Sequence, residues 1–338
     1  MAALLVLYKL WYKEISVKQK GEMNMRLEIV GAGALGLLLS GGLASAGHDV
    51  RIWTRTAEQA DLINTQGIET QREGKQPETV LAGIEAVSWE AEHIRKAREG
   101  HSADWILLTV KQRHIAGGLL DALPLLQGEK TGIVCFQNGM GHFDLLKCRL
   151  KEDSLYAALT TEGARQYDKR SVIRSEPGET RLGPVFTGDS VELEKLAGKL
   201  QEAGFRASVS NHIDREIHRK LMINAAINPL TALWRIPNGE LLASPHRRSM
   251  LDMLIAEGLA VYDACGIPYD TDLAEQIAGV CRTTSGNISS MLADVLRGEP
   301  TEVDYINGYL AAMARKSKVA APAHEMVWKL LKGINESG

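Results

Sequence analysis

Between Met25 and Arg55 the chain reads MRLEIVGAGALGLLLSGGLASAGHDVRIWTR, and this stretch decides the fold. An apolar run (Leu27, Ile29, Val30) leads into Gly31-Ala32-Gly33-Ala34-Leu35-Gly36. A helical segment follows to Ala46, and Gly47-His48 turns the chain into a second apolar run, Val50-Arg51-Ile52-Trp53. A strand, a glycine turn, a helix and a second strand within about 30 residues form the context in which G-x-G-x-x-G reads as a dinucleotide-binding fingerprint. Gly31 permits the tight turn, Gly33 lets the backbone approach a pyrophosphate, and Gly36 lets the helix pack on the strand. Gly31, Ala32, Gly33, Ala34, Leu35 and Gly36 are therefore expected to bind the cofactor, with the amides and dipole of the helix start facing its phosphates.

The far end of the stretch points to which dinucleotide. NAD sites usually close the second strand on a carboxylate that holds the ribose 2′-hydroxyl. Here that end is Trp53-Thr54-Arg55-Thr56, with a guanidinium and no acid. Arg grips a phosphate in a forked geometry, so Arg55 argues for NADPH/NADP+ binding; the plainer account of it is a solvated surface arginine.

Working outward, 338 residues suffice for two domains and a substantial core. Hydrophobic residues make up 45% and charged ones 24%, as in ordinary globular proteins, and the net charge of −3 offers no basic surface for nucleic acid. Cys135, Cys148, Cys265 and Cys281 are scattered without a C-x-x-C pair, and the histidines form no H-E-x-x-H pattern. Reduced thiols, a cytoplasmic location and no metal site are expected. The first 24 residues begin with an apolar run too short to span a bilayer and lack a basic n-region and cleavage site, so they read as an extension outside the fold. A membrane-surface or partner-docking helix is the minority reading of that segment.

Further along, Thr56 is placed to cap a helix, and residues 68–88 hold short alternating runs suited to edge strands. Two continuous apolar runs, 104–110 and 132–136, fit parallel strands buried on both faces. They end on Lys111 and on Gln137-Asn138-Gly139-Met140-Gly141. Another strand is expected at 155–161, a polar connection over 162–189, then a helix over 190–203 and a strand over 205–210. The alternation indicates a doubly wound parallel sheet of Rossmann type, whose ligands bind outside the carboxyl ends of the strands. From about 212 helical periods dominate: 213–235, 246–265, 271–283, 287–296 and 303–318. The expected organisation is an extension over 1–24, an NADP-binding Rossmann domain over 25–211 and an all-helical substrate and catalytic domain over 212–338.

Within the helical part, Lys220, Asn224 and Asn228 recur at i, i+4 and i+8 and share one helix face among apolar neighbours. A cation and two amides on such a face either line a polar cleft or are buried groups satisfied by the backbone. Pro229 should bend or end the helix nearby. Near the C-terminus, Thr301 could cap a segment opened by Glu302 with Asp304 in its first turn. The sharper reading sets Glu302 against Lys220 to hold its ammonium.

Taken together, these segments resemble the ketopantoate reductase (2-dehydropantoate 2-reductase) family from Met25 to about Leu331. The resemblance rests on G-x-G-A-L-G at Gly31, T-V-K at Lys111, Q-N-G-M-G at Asn138, K-L-x-x-N-x-x-x-N-P-L-T-A-L at Lys220, and S-S-M-L with T-E-V-D-Y-I-N-G at Ser290 and Glu302. It implies an NADPH-dependent reduction of 2-dehydropantoate to (R)-pantoate on the route to pantothenate and coenzyme A. Lys220 would be the general acid, and Glu302 would orient it and take part in the closed state. Asn224, Asn228 and Ser290 would hold the substrate's hydroxyl and carboxylate ends. Lys111 and Asn138 would serve both substrate and cofactor, with Glu302 also on the cofactor side, and Arg55 would meet the 2′-phosphate. Many members carry Gln where this chain has His114, which places one cofactor contact in question. The expected partner is a small 2-oxo acid, with no nucleic acid or membrane, on a monomer or homodimer. A reductase for another branched 2-oxo acid and a catalytically silent dinucleotide-binding sensor are the alternatives. A β-hydroxyacid dehydrogenase relative is disfavoured by the Q-N-G-M-G and T-E-V-D-Y-I-N-G segments.

Overall fold

The computed structural model describes residues 24–72, 74–99, 102–175 and 177–335. The extension read over the first 24 residues thus falls, apart from Asn24, outside the described residues. In chain order the strands are β1 (Arg26–Val30), β2 (Asp49–Thr54), β3 (Ile68–Arg72), β4 (Glu78–Val80), β5 (Ile84–Ser88), β6 (Trp105–Leu108), β7 (Gly132–Cys135), β8 (Leu155–Thr160), β9 (Ala164–Gln166), β10 (Ser171–Arg174), β11 (Glu179–Pro184) and β12 (Arg206–Val209). The helices are α1 (Ala34–Ser45), α2 (Ala57–Gln66), α3 (Ala91–Glu99), α4 (Gly118–Leu126), α5 (His142–Leu146), α6 (Ser190–Glu202), α7 (Ile213–Trp234), α8 (Pro245–Cys265), α9 (Leu273–Thr283), α10 (Ser290–Leu296), α11 (Asn307–Ser317) and α12 (Pro322–Asn335).

Two compact units emerge. The first holds the described residues through Val110, Asp121–Phe136 and Leu150–Val209; the second holds Lys111–Leu120, Gln137–Arg149 and the chain from Ser210 onward. The chain therefore enters the helical unit twice, at Lys111 and at Gln137, before it stays there.

The first unit is built on an eight-stranded sheet in the order β12-β11-β8-β7-β6-β1-β2-β5, with a smaller sheet β4-β3-β10-β9. Six strands from β8 to β5 run parallel, as expected for a Rossmann-type sheet. β11 joins this parallel-dominant sheet antiparallel to β8, so the sheet is mixed at that edge. An antiparallel neighbour needs no crossover helix, and the chain from β8 to β11 spends its length on β9 and β10 instead. Those three strands occupy the stretch read as a polar connection. Their short runs, such as Ser171-Val172-Ile173-Arg174, carry too few apolar residues to stand out.

Leu27, Ile29, Val50, Ile52, Trp105, Leu107 and Val134 form one buried layer with Leu37 and Leu43 of α1. The opposite face of β1 carries an acid. Glu28 is only 7% exposed, which pushes its carboxyl pKa upward. It is satisfied by Trp53 Nε1, which donates at 2.5 Å, and by Arg51 Nη1 at 2.9 Å. Register sets Arg51 between Glu28 and Glu85 on adjacent strands, and Arg51 Nε donates to Glu85 at 2.8 Å. A buried charge is tolerated when it is paired in this way. A 430 Å³ cavity beside this ladder lies at the amino ends of β1, β2 and β5, away from the glycine turn, and Glu28, Arg51 and Glu85 of its lining are taken up by the ladder.

The second unit surrounds α7. Its core joins Leu221, Met222, Ala225, Ala226 and Leu230 of α7 to Leu251 and Ile255 of α8, Leu310 of α11, and Val327 and Leu331 of α12. The helix α7 runs on through Pro229 to Trp234 and closes on Arg235 in the left-handed conformation. Beyond the helices read from the period lies α12. Its core residues Ala323, Val327 and Leu331 nevertheless recur every four positions behind Pro322 at the first turn. Among the described residues no helix is long and apolar enough to cross a membrane.

Candidate active site

The glycine turn is fixed by steric necessity at two of its three glycines. Gly31 has φ +116°, and its N–H donates to Trp53 O at 3.1 Å. A Cβ there would lie 2.8 Å from Val110 Cγ1. A Cβ on Gly36 would fall 1.8 Å from Gly31 O and 2.8 Å from Thr109 Oγ1. Thr109, the residue two before Lys111, donates its hydroxyl to Gly31 O at 2.8 Å and so pins the turn. At Gly33 nothing lies within 4 Å of where a Cβ would be. The protein itself leaves that position open, as an approaching pyrophosphate requires. Gly33 also begins α1 without a side-chain cap, so the first amides of the helix are not claimed by a capping side chain. Ala32 O accepts from Gln59 Nε2 at 3.0 Å, a support the sequence did not advertise.

Arg55 is exposed at the end of β2, and among the described residues no carboxylate is paired with it. Glu58, the nearest acid in sequence, is paired with Lys169. The open second glycine and the uncapped helix start fit the pyrophosphate of a dinucleotide.

The other expected residues all belong to the helical unit. Lys111 and Asn138, which the strand-end rule groups with Gly31–Gly36 and Arg55, fall in the compact unit that holds Glu302, and their neighbours Gln112, Gly139 and Met140 meet the segment around it. Glu302 Oε1 accepts from the backbone N–H of Gln112 at 3.3 Å, and Gln112 Nε2 donates to Met140 O at 2.7 Å. Met140 N in turn donates to Tyr305 O at 2.9 Å. Gly139, with φ +77°, lies so close that a Cβ would sit 2.4 Å from Tyr305 O. The T-V-K, Q-N-G-M-G and T-E-V-D-Y segments thus form one hydrogen-bonded cluster. Lys111 Nζ is committed within it: Asp294 holds it at 2.6 Å and takes Arg297 on its other oxygen at 2.6 Å. Asp294 is almost fully buried, and only its partners, not its place in the sequence, reveal its job.

Lys220, Asn224 and Asn228 share a face of α7; Lys220 and Asn224 are half-buried and Asn228 is buried. Burial pulls the Lys220 ammonium down to about 8, and the charge of Glu302 opposes the shift. A lysine in this range can both hold and release its proton near neutrality. Ser290 is exposed at the start of α10. Its place is set by Ser289, which caps that helix by accepting from Leu292 N at 3.1 Å and meets Thr231 Oγ1 of α7 at 2.8 Å. His114 is exposed on the turn after Lys111, where Arg113 Nε donates to its Nε2 at 3.2 Å.

Two family descriptions match this chain: "Ketopantoate reductase PanE/ApbA" over residues 28–186 and "Ketopantoate reductase PanE/ApbA C terminal" over residues 212–335. The chain belongs to the ketopantoate reductase family. It is 31% identical to the 2-dehydropantoate 2-reductase of Archaeoglobus fulgidus over 318 residues, 93% of this chain and 98% of that protein. It is 32% identical to the enzyme of the same name from Salmonella typhi over 320 residues, 91% of this chain and 94% of that one. A solved structure described as a probable 2-dehydropantoate 2-reductase from Bacillus subtilis superposes with TM-score 0.77 at 30% identity, covering 92% of this chain and all of that one. A D-mandelate dehydrogenase solved with NADH and anilino(oxo)acetate gives TM-score 0.82 at 25% identity, covering 93% and 99%. This ketopantoate reductase family member is an oxidoreductase that acts on a small molecule with a nicotinamide dinucleotide.

Proposed function

We propose that the protein reduces 2-dehydropantoate to (R)-pantoate with NADPH, with Lys220 as general acid. The observation that carries this reading is the half-buried Lys220, brought to about 8 by desolvation and kept protonated by Glu302. When bound, the reduced nicotinamide supplies the hydride to C2 of the 2-oxo acid. Negative charge then develops on the carbonyl oxygen, and Lys220 stabilises it and delivers a proton from Nζ to that oxygen. Glu302 favours the charged lysine, so the acid form dominates below its pKa. Asn224, Asn228 and Ser290 donate to the hydroxyl and carboxylate of the substrate and set the carbonyl against Lys220. Lys111 and Asn138 complete that wall on the cofactor side. Gly31–Gly36 and Arg55 carry the pyrophosphate and the 2′-phosphate. Monomer or homodimer, working in the cytoplasm, completes the reading.

Reduction of a different branched 2-oxo acid is the second reading. It draws on the D-mandelate dehydrogenase likeness, since specificity on one scaffold rests on a few pocket contacts. The direct test of the acid is Lys220→Ala. Its kcat with ketopantoate is expected to fall by about 10²–10⁴-fold, while the variant's Kd for NADPH in fluorescence titration stays near that of the wild type. Turnover at the wild-type rate would remove Lys220 from the reaction.

A further inference from the structure

In an α-helix each N–H donates to the carbonyl four residues back. Pro229 has no N–H, so Ala225 O, in the middle of α7, loses its helical donor. The ring also crowds that same carbonyl. Ala225 is fully buried, and an unpaired buried carbonyl is costly.

The missing donor comes from elsewhere. Asn307 Nδ2 donates to Ala225 O at 2.9 Å, and its second hydrogen goes to His324 Nδ1 at 3.1 Å. His324 Nε2 donates to Leu254 O of α8 at 2.9 Å. Both side chains are 0% exposed. This pattern needs a neutral imidazole with its proton on Nε2, and burial drives the His324 pKa down, in agreement. The His324 end is itself anchored, because Glu257 of α8 accepts from the backbone N–H groups of Ala323 and His324 at 2.9 and 3.1 Å. Asn307 Oδ1 has no partner, so the amide is oriented by its two donated bonds alone.

The carbonyl so held lies one residue after Asn224 and three before Asn228, which sits inside the turn the missing bond would close. We infer that Asn307 and His324 are a positioning pair: they replace the bond that Pro229 removes and fix the local path of α7, and so the alignment of Asn228 with Lys220 and Asn224. Neither residue touches the substrate in this arrangement. The inference rests on the reading of that stripe as the 2-oxo acid site.

Four proteins separate this role from plain stabilisation: wild type, Asn307→Ala, Pro229→Ala and the double variant. Pro229→Ala restores an N–H to Ala225 O, so the double variant no longer needs the asparagine for hydrogen bonding. Asn307→Ala is expected to lower Tm by about 5 °C, the scale of one orphaned buried carbonyl. It should also cut kcat/KM for ketopantoate about tenfold, with the Kd for NADPH unchanged. In the double variant Tm should return while kcat/KM stays low, because the helix now follows its own path. Recovery of both in the double variant, or an unchanged kcat/KM in Asn307→Ala, would overturn the positioning role. If Asn307→Ala does not fold, His324→Ala carries the same comparison, since it loosens the amide and leaves its bond to Ala225 possible. If the wild type turns over no 2-oxo acid, the proposed function fails on its own. The pair is then judged by the side-chain amide NMR signal of Asn228: a shift that persists in the double variant upholds it, and one that reverts with Tm ends it.

Discussion

The glycine turn and the polar stripe of α7 are both parts of one proposed reaction, yet they are determined in opposite ways. At the turn each requirement is local and steric. Gly36 must lack a side chain because Gly31 O is 1.8 Å from where its Cβ would be, and Gly31 because its backbone is left-handed and Val110 is close. On the stripe nothing local fixes the chemistry. Lys220 owes its depressed pKa to burial, and its counter-charge Glu302 is held by a backbone amide 190 residues away in sequence. Steric demands are written in residue type; electrostatic ones are written in the fold.

That contrast can be broken or sharpened by substitution. The largest effect is expected at Gly36→Ala, where backbone stands in the way. The variant should lose NADPH binding and much of its stability, read by titration and thermal melting. Arg55→Ala comes next: loss of one or two charge-assisted bonds to a phosphate should lower kcat/KM with NADPH by about 10–100-fold and leave the value with NADH nearly unchanged. Equal losses with both cofactors would deny Arg55 its phosphate. Gly33→Ala is the sharpest contrast with Gly36→Ala. Its Cβ meets nothing in the protein, so Tm should not move, while a bound pyrophosphate should feel the methyl as weaker affinity. A drop in Tm there would show that the second glycine serves the fold. The smallest effect concerns pH. With Lys220 as acid, log kcat/KM should be level below about 8 and fall above it as the ammonium deprotonates. Glu302→Gln removes the charge that raises this pKa, so the break should move to lower pH. A break that stays in place would free Lys220 from Glu302.

Much of this was legible in the sequence, for reasons the contrast explains. The strand–turn–helix around Gly31, the buried runs 104–110 and 132–136, and the i, i+4, i+8 stripe of α7 follow from periods and from residues with few conformational choices. The strands β9 to β11 were not legible, because short amphipathic runs become strands only through their neighbours. Nor was the ion pair of Lys111 with Asp294, since a lysine after a buried strand looks the same whether its ammonium meets a ligand or an acid. Lys111 and Asn138 follow buried strands in the chain, but Lys111 pairs with Asp294, and their neighbours Gln112 and Met140 bond to Glu302 and Tyr305 in the helical unit. The orphaned carbonyl at Ala225 was implied by Pro229 alone; the donor that replaces its bond was not.

The central claim is that a nucleotide turn and a desolvated lysine serve one reduction. It is tested most directly by following NADPH oxidation by the wild-type protein across a panel of 2-oxo acids that includes ketopantoate. Saturable oxidation fastest with ketopantoate, yielding pantoate, and much slower with NADH in place of NADPH, is the expected result. NADPH that binds but is oxidised by no member of the panel would contradict it, and would leave the protein a dinucleotide-binding sensor.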